Sequence, residues 1–135
     1  MINLRVVSEI LAVLIFTVCA VGASSASADA SVCAKEDARV CLAIENLPSL
    51  KVGDAISFDV EASIPLDGLK VEMIWDSAAE DLRIVSAPKK LARLGPGKFF
   101  VEKVILVLDG DWVIAVEAEA DQKRYSFELP VVVTN

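Results

Sequence analysis

Beyond Val40 the chain alternates apolar and polar residues with a period of two, in short runs divided by Gly, Pro, Asp and Asn, the signature of strands joined by turns. Val40, Leu42 and Ile44 share one side of a first strand, Cys41 and Ala43 the other, and residues 46–48 close it. Ile56, Phe58 and Val60 alternate with Ser57, Asp59 and Glu61, as expected of a strand with one dry and one wet side. Residues 65–68 turn the chain into Leu69, Val71, Met73 and Trp75, interleaved with Lys70 and Glu72. Polar residues 76–80 read as a loop or one helical turn, and short strands follow over 82–85 and 90–94. Gly95, Pro96 and Gly97 mark a turn. Phe99 and Val101 then set a phase that slips to Val104, Leu106 and Leu108, which predicts a β-bulge near Lys103. Asp109-Gly110 predicts a hairpin turn. It leads into Trp112, Ile114, Val116 and Ala118, and a loop over 119–123 returns the chain through Tyr125, Phe127, Leu129 and Val131. Pro130 cannot donate to a ladder, so it belongs at an edge or a strand end. Seven or eight strands with no amphipathic helix among them predict an all-β, antiparallel sandwich.

The N-terminus follows a different rule. Arg5, the apolar run 10–21, Ser24, Ser25 and the small residues Ala26-Ser27-Ala28 form the pattern of a cleavable signal peptide over 1–28, a signal helix removed between Ala28 and Asp29. Two alternatives stand beside it: an uncleaved N-terminus acting as a membrane anchor, and a lipidated Cys19. The apolar run opens after Glu9 and closes in serines, short of the roughly 20 residues that span a bilayer. Val18 stands before Cys19, where the lipidation signal normally has Gly, Ala or Ser. The expected product is periplasmic or extracellular, without a stable membrane span after processing, and consists of one β-sandwich domain over 29–135. Cys19 leaves with the leader, so Cys33 and Cys41 remain as a pair in an oxidising compartment and predict a structural disulfide. Bonding requires Cα atoms about 4.4–6.8 Å apart and closes a ring contributing about 2–3 kcal/mol.

Charge and missing chemistry narrow the function. The net charge is −7, and loss of the leader removes one base and one acid, Arg5 and Glu9, leaving it unchanged. Such a surface repels nucleic acid and anionic lipid, so no nucleic-acid partner is expected. There is no histidine, so Ser57, Ser63, Ser77, Ser86 and Ser126 have no imidazole base. The carboxylate pairs Glu36 with Asp37 and Glu80 with Asp81 read as solvated acids, and Asp109 and Asp111 fall short of the six to eight oxygens that calcium takes. No catalytic residue, metal site or cofactor is therefore expected, and the chain does not read as an enzyme. Trp75 and Trp112 read as core. Lys89, Lys90 and Arg93 form a basic cluster, read either as edge residues that discourage strand pairing or as a contact patch for an acidic partner.

Over residues 94–131 the features Gly97, Phe99, Val101, Val104, Leu106, Leu108, Gly110, Trp112, Phe127 and Leu129 carry a resemblance. On them the chain resembles the YtkA-like, FixH-related family of small exported immunoglobulin-like sandwiches, some of which are labelled auxin-binding; the family-like region extends over about residues 52–133. The resemblance implies an immunoglobulin-like fold, a periplasmic address and a protein partner in the cell envelope. Many members carry a Met-, Pro- and His-rich segment between the middle strands, where this chain has Asp76, Ser77, Ala78, Ala79, Glu80 and Asp81. The proline that often precedes the family's turn glycine is here Asp109. The expected function is that of a non-catalytic module binding a partner or assisting assembly in the envelope. The alternative is copper delivery or metal handling on the same scaffold, using Cys33, Cys41 and Met73.

Overall fold

Nine strands form two antiparallel sheets in the computed structural model, which describes residues 27–77 and 81–135. The expected leader through Ala26, the alternative lipidated Cys19, and Glu80 lie outside the described residues. The strands are β1 (Ser27–Cys33), β2 (Cys41–Pro48), β3 (Ala55–Ala62), β4 (Gly68–Ser77), β5 (Leu82–Ser86), β6 (Lys90–Gly95), β7 (Lys98–Ile105), β8 (Gly110–Ala120) and β9 (Lys123–Val133). One sheet has the order β1-β2-β3-β7-β6, the other β5-β4-β8-β9. Strands β2, β3, β7 and β6 follow the A-B-E-D order of an immunoglobulin sheet, and β4, β8 and β9 the C-F-G order of its partner. To that plan the chain adds β5 beside β4 and β1 beside β2.

Alternation in sequence becomes burial between the layers. Leu42, Ile44, Ile56, Phe58, Val60 and Val101 project from one sheet, and Met73, Trp112, Ile114, Val116 and Phe127 from the other, all at most 1% exposed. Among the described residues no polar or charged residue is buried and no buried side-chain polar atom lacks a partner. The layers are therefore held by apolar contact, worth about 25 cal/mol for each Å² of apolar surface withdrawn from water.

The phase slip in β7 is a bulge. The β3–β7 register passes from Ile56 opposite Val104 to Phe58 opposite Val101. Lys103 takes φ +57° there, and its N–H donates to Ser57 Oγ at 3.1 Å. Residues 119–123, expected as a loop, are strand except for the turn at 121–122, and three further features differ from expectation. An additional strand, β1, raises the count to nine, because SADASVC pairs with β2 through its backbone although it lacks a clear apolar alternation. Leu108 is not on the inner face; β7 ends at Ile105 and Leu108 is 37% exposed. Asp109-Gly110 is not a hairpin turn, since β7 and β8 belong to different sheets and the segment crosses between layers. The tight hairpin is β8–β9, where Asp121 and Gln122 both have positive φ, 50° and 63°, as a type I′ turn requires.

Gly110 and Gly97 show the two ways in which this geometry demands glycine. Gly110 sits at φ +110°, and a Cβ on Gly97 would lie 2.9 Å from the Ile64 carbonyl oxygen. Gly110→Ala and Gly97→Ala are each expected to lower unfolding free energy by about 1–3 kcal/mol, through backbone strain and overpacking respectively. Gly68→Ala, where a methyl meets open space, is expected to stay within about 0.5 kcal/mol of the parent in denaturant melts.

Candidate partner-binding face

The N-terminal hairpin organises one side of the sandwich. Cys33 and Cys41 stand directly opposite each other across β1 and β2 and are bonded. Their Cα atoms are 3.9 Å apart, closer than the expected window. The cause is their place in the ladder: Ala34 N–H donates to the Val40 carbonyl at 2.8 Å, so the cysteines occupy the next, non-hydrogen-bonded pair, where strands approach most closely. Loop 34–40 is anchored by buried Ala34 and Val40 and stiffened by Asp37, whose carboxylate accepts from the Arg39 guanidinium and backbone N–H. Those bonds hold the Asp37 carboxyl below the ordinary carboxylate range.

This loop docks on β9, the edge strand of the other sheet. Lys35 N–H donates to the Ser126 carbonyl at 3.0 Å, and Ser126 N–H donates to Glu36 Oε1 at 2.7 Å. The pair of bonds copies a ladder step, with the Glu36 side chain standing in for a backbone carbonyl. The Ser126 N–H first, and the N–H of Glu36 itself second, hold the Glu36 carboxyl below its usual range. Lys35 Nζ also pairs with Glu128 at 2.6 Å. At the other end of β9, Thr134 N–H donates to the Leu50 carbonyl and the Thr134 carbonyl accepts from Val52 N–H, each at 3.0 Å.

Between those ties lies an open depression of about 570 Å³ on the outer face of β4, β5, β8 and β9. Ile74, Val113, Ala115, Pro130 and Val132 supply its apolar lining, and Asp76, Arg83, Asp111 and Glu128 its charges. Val132 is 64% exposed. Further along the same outer face the surface is ionic, with Lys70 beside Glu72 and Arg124 beside Glu119. The apolar patch has a sequence signal of its own, distinct from alternation. Residues 73–75, 112–116 and 129–133 are apolar at consecutive positions, so those strands carry apolar side chains on both faces. Trp112 lies on the inner side, 1% exposed, with Nε1 donating to the Leu108 carbonyl at 2.9 Å, whereas Trp75 is only half-buried.

The remaining candidates are dispersed. Lys89, Lys90 and Arg93 are all exposed at the β6 edge, but their surroundings differ. Lys90 lies opposite Glu102, while Arg93 lies opposite core-facing Phe99. Its guanidinium stacks 4.8 Å from the Phe99 ring centre and donates to the carbonyls of Leu66 at 2.8 Å and Asp67 at 3.0 Å. Arg93 therefore clamps the loop before β4. Ser57, Ser63 and Ser86 are used in backbone contacts: their hydroxyls accept from Lys103 and Cys41 N–H and donate to the Ile105 carbonyl respectively. Met73 is fully buried and the cysteines are bonded, so Cys33, Cys41 and Met73 form no accessible donor set. Among the described residues no group of three or more Cys, Asp and Glu is placed to hold a metal ion. Asp109 and Asp111 are exposed; Asp111 borders the depression. On the opposite outer face the Glu45 carboxyl is raised, chiefly by its hydrogen bond with Glu61, then by partial desolvation and repulsion from Glu61 and Asp29.

Replacing both Cys33 and Cys41 by alanine is expected to lower stability by about 2–3 kcal/mol, measured by denaturant unfolding. The carboxylates give opposite pH signatures. Glu36 titrates lower in the folded state, so its contribution is present at neutral pH and is lost as pH falls through its folded range. Glu36→Gln is accordingly less stable than the parent near neutrality, with a gap that closes on acidification. Glu45 titrates higher when folded, so its penalty at neutral pH is relieved as pH falls through that raised range. Glu45→Gln is expected to be the more stable near neutrality and to lose that advantage in acid, read from melts across pH.

Comparison of the chain with protein-family models, curated proteins and solved structures returns no match.

Proposed function

We propose that this protein is an exported, non-catalytic β-sandwich module that binds a protein partner in the periplasm or extracellular envelope through the outer face of β4, β8 and β9. The observation that carries this reading is the apolar lining at Ile74, Val113, Ala115, Pro130 and Val132, on the face of the sheet that points away from the core. Packing between the layers does not need these side chains on that side. Leaving them in water forgoes about 25 cal/mol for each Å² of apolar surface that a partner would cover. The leader-like N-terminus and the YtkA-like residues of β7 to β9 support the address and the class of module. The site chemistry points the same way: the hydroxyls of Ser57, Ser63 and Ser86 are engaged with backbone groups, and the carboxylates around the depression are exposed.

A photoreactive amino acid placed at Val113 or Val132 in cells is expected to yield a discrete protein adduct. The same probe at Ser57 or Ala43, on the outer face of the other sheet, is expected to yield none. Adducts from Ser57 and Ala43, with none from Val113 and Val132, would move the contact to the opposite sheet and overturn this assignment.

A further inference from the structure

We infer that the segment taken by this face is an apolar stretch flanked by lysine or arginine, recognised by side-chain contact across the sheet and not by addition of a strand to β9. The inference rests on the proposed docking face and adds the chemistry of its partner. Charge supplies the first argument. Ile74 lies opposite Val113, so extending that antiparallel register by two residues brings Asp76 abreast of Asp111 at one end of the depression. Neither makes an ion pair among the described residues; Arg83, directly opposite Asp76 across β4 and β5, is the one base lining the depression and leaves Asp111 without a facing cation in that lining. At another side Glu128 is already paired with Lys35. The lining thus keeps an acidic balance, Asp76 and Asp111 against Arg83, beside its apolar residues, where a cation on an apolar segment would be held.

The edge of β9 supplies the second. Ser126 presents its N–H and carbonyl outward to Glu36 and Lys35, and in a regular antiparallel ladder the same parity includes Glu128, Pro130 and Val132. Ser126 is already occupied, Pro130 has no N–H, and Thr134 beyond them is bonded to Leu50 and Val52. A continuous main-chain ladder is therefore denied on that edge, and recognition falls to the side chains of the face. The same charges disfavour a second copy as occupant. A face-to-face pair would bring two acidic surfaces together in a chain of net charge −7.

The test uses two synthetic peptides with one Leu-Val-Ile centre, flanked by lysines in one and glutamates in the other, titrated into the oxidised protein and followed by amide chemical shifts. The lysine peptide is expected to shift the amides of Ile74, Val113, Ala115 and Val132 and to bind about tenfold more tightly than the glutamate peptide at low salt. Changing both Asp76→Asn and Asp111→Asn should shrink that preference by roughly threefold or more with the spectrum otherwise unchanged. Equal binding of both peptides at these residues overturns the basic-flank inference and leaves the docking face standing. Failure of both peptides to shift these amides, while Val113 and Val132 still give cellular adducts, likewise overturns the partner chemistry alone. If those adducts are also absent, the docking face falls with it.

Discussion

The docking of a disulfide-bounded loop on the edge of β9 is the contact that closes one side of a sandwich whose layers are held by apolar packing. Apolar packing brings two sheets face to face but does not close their sides, and an open edge strand presents unpaired N–H and carbonyl groups to any other chain. Here the Cys33–Cys41 hairpin, rooted in one sheet, gives Lys35 and Glu36 to Ser126 of the other. Residues 50–52 give a second pair of bonds to Thr134. β9 is thereby tied at two points to segments that flank β2, and the layer it borders is held in register over the apolar core.

Much of this was legible in the alternation. Ile56, Phe58 and Val60, Trp112, Ile114 and Val116, and Tyr125 and Phe127 are all buried on the face that their period assigns them. The bulge at Lys103 was legible because an extra residue in a strand must shift the phase of everything after it. The separation of β7 and β8 into different sheets was not legible, because Asp-Gly encodes a permissive turn and says nothing about which strands it joins. Gly110 uses its freedom at φ +110° to cross between layers. Asp121-Gln122 has no glycine, yet it forms the tight turn because the long β8–β9 ladder fixes both ends. Strand β1 was not legible for a related reason: its small residues acquire a structure from β2, not from a pattern of their own.

The candidate site was less legible than the fold. Charge alone singles out Lys89, Lys90 and Arg93 as a contact patch, but Arg93 has its guanidinium engaged by Leu66, Asp67 and Phe99, a use that charge counting does not reveal. The informative signal lay where alternation fails. In residues 112–116 and 129–133 the positions between core residues are apolar as well, and the fold turns them outward together on neighbouring strands. A polar-out rule broken at one place on a sheet, and kept on the charged remainder of that sheet, separates a surface suited to a partner from one suited to water.

The most direct test of this account is amide hydrogen exchange at Ser126 in the oxidised protein. Its N–H lies on the outer edge of β9, so only the Glu36 carboxylate protects it. The account predicts exchange as slow as that of the ladder-bonded amides of Tyr125 and Phe127, accelerating toward that of an open edge when the disulfide is reduced. Rapid exchange at Ser126 with the disulfide intact would show that the loop does not close β9 and would contradict the account.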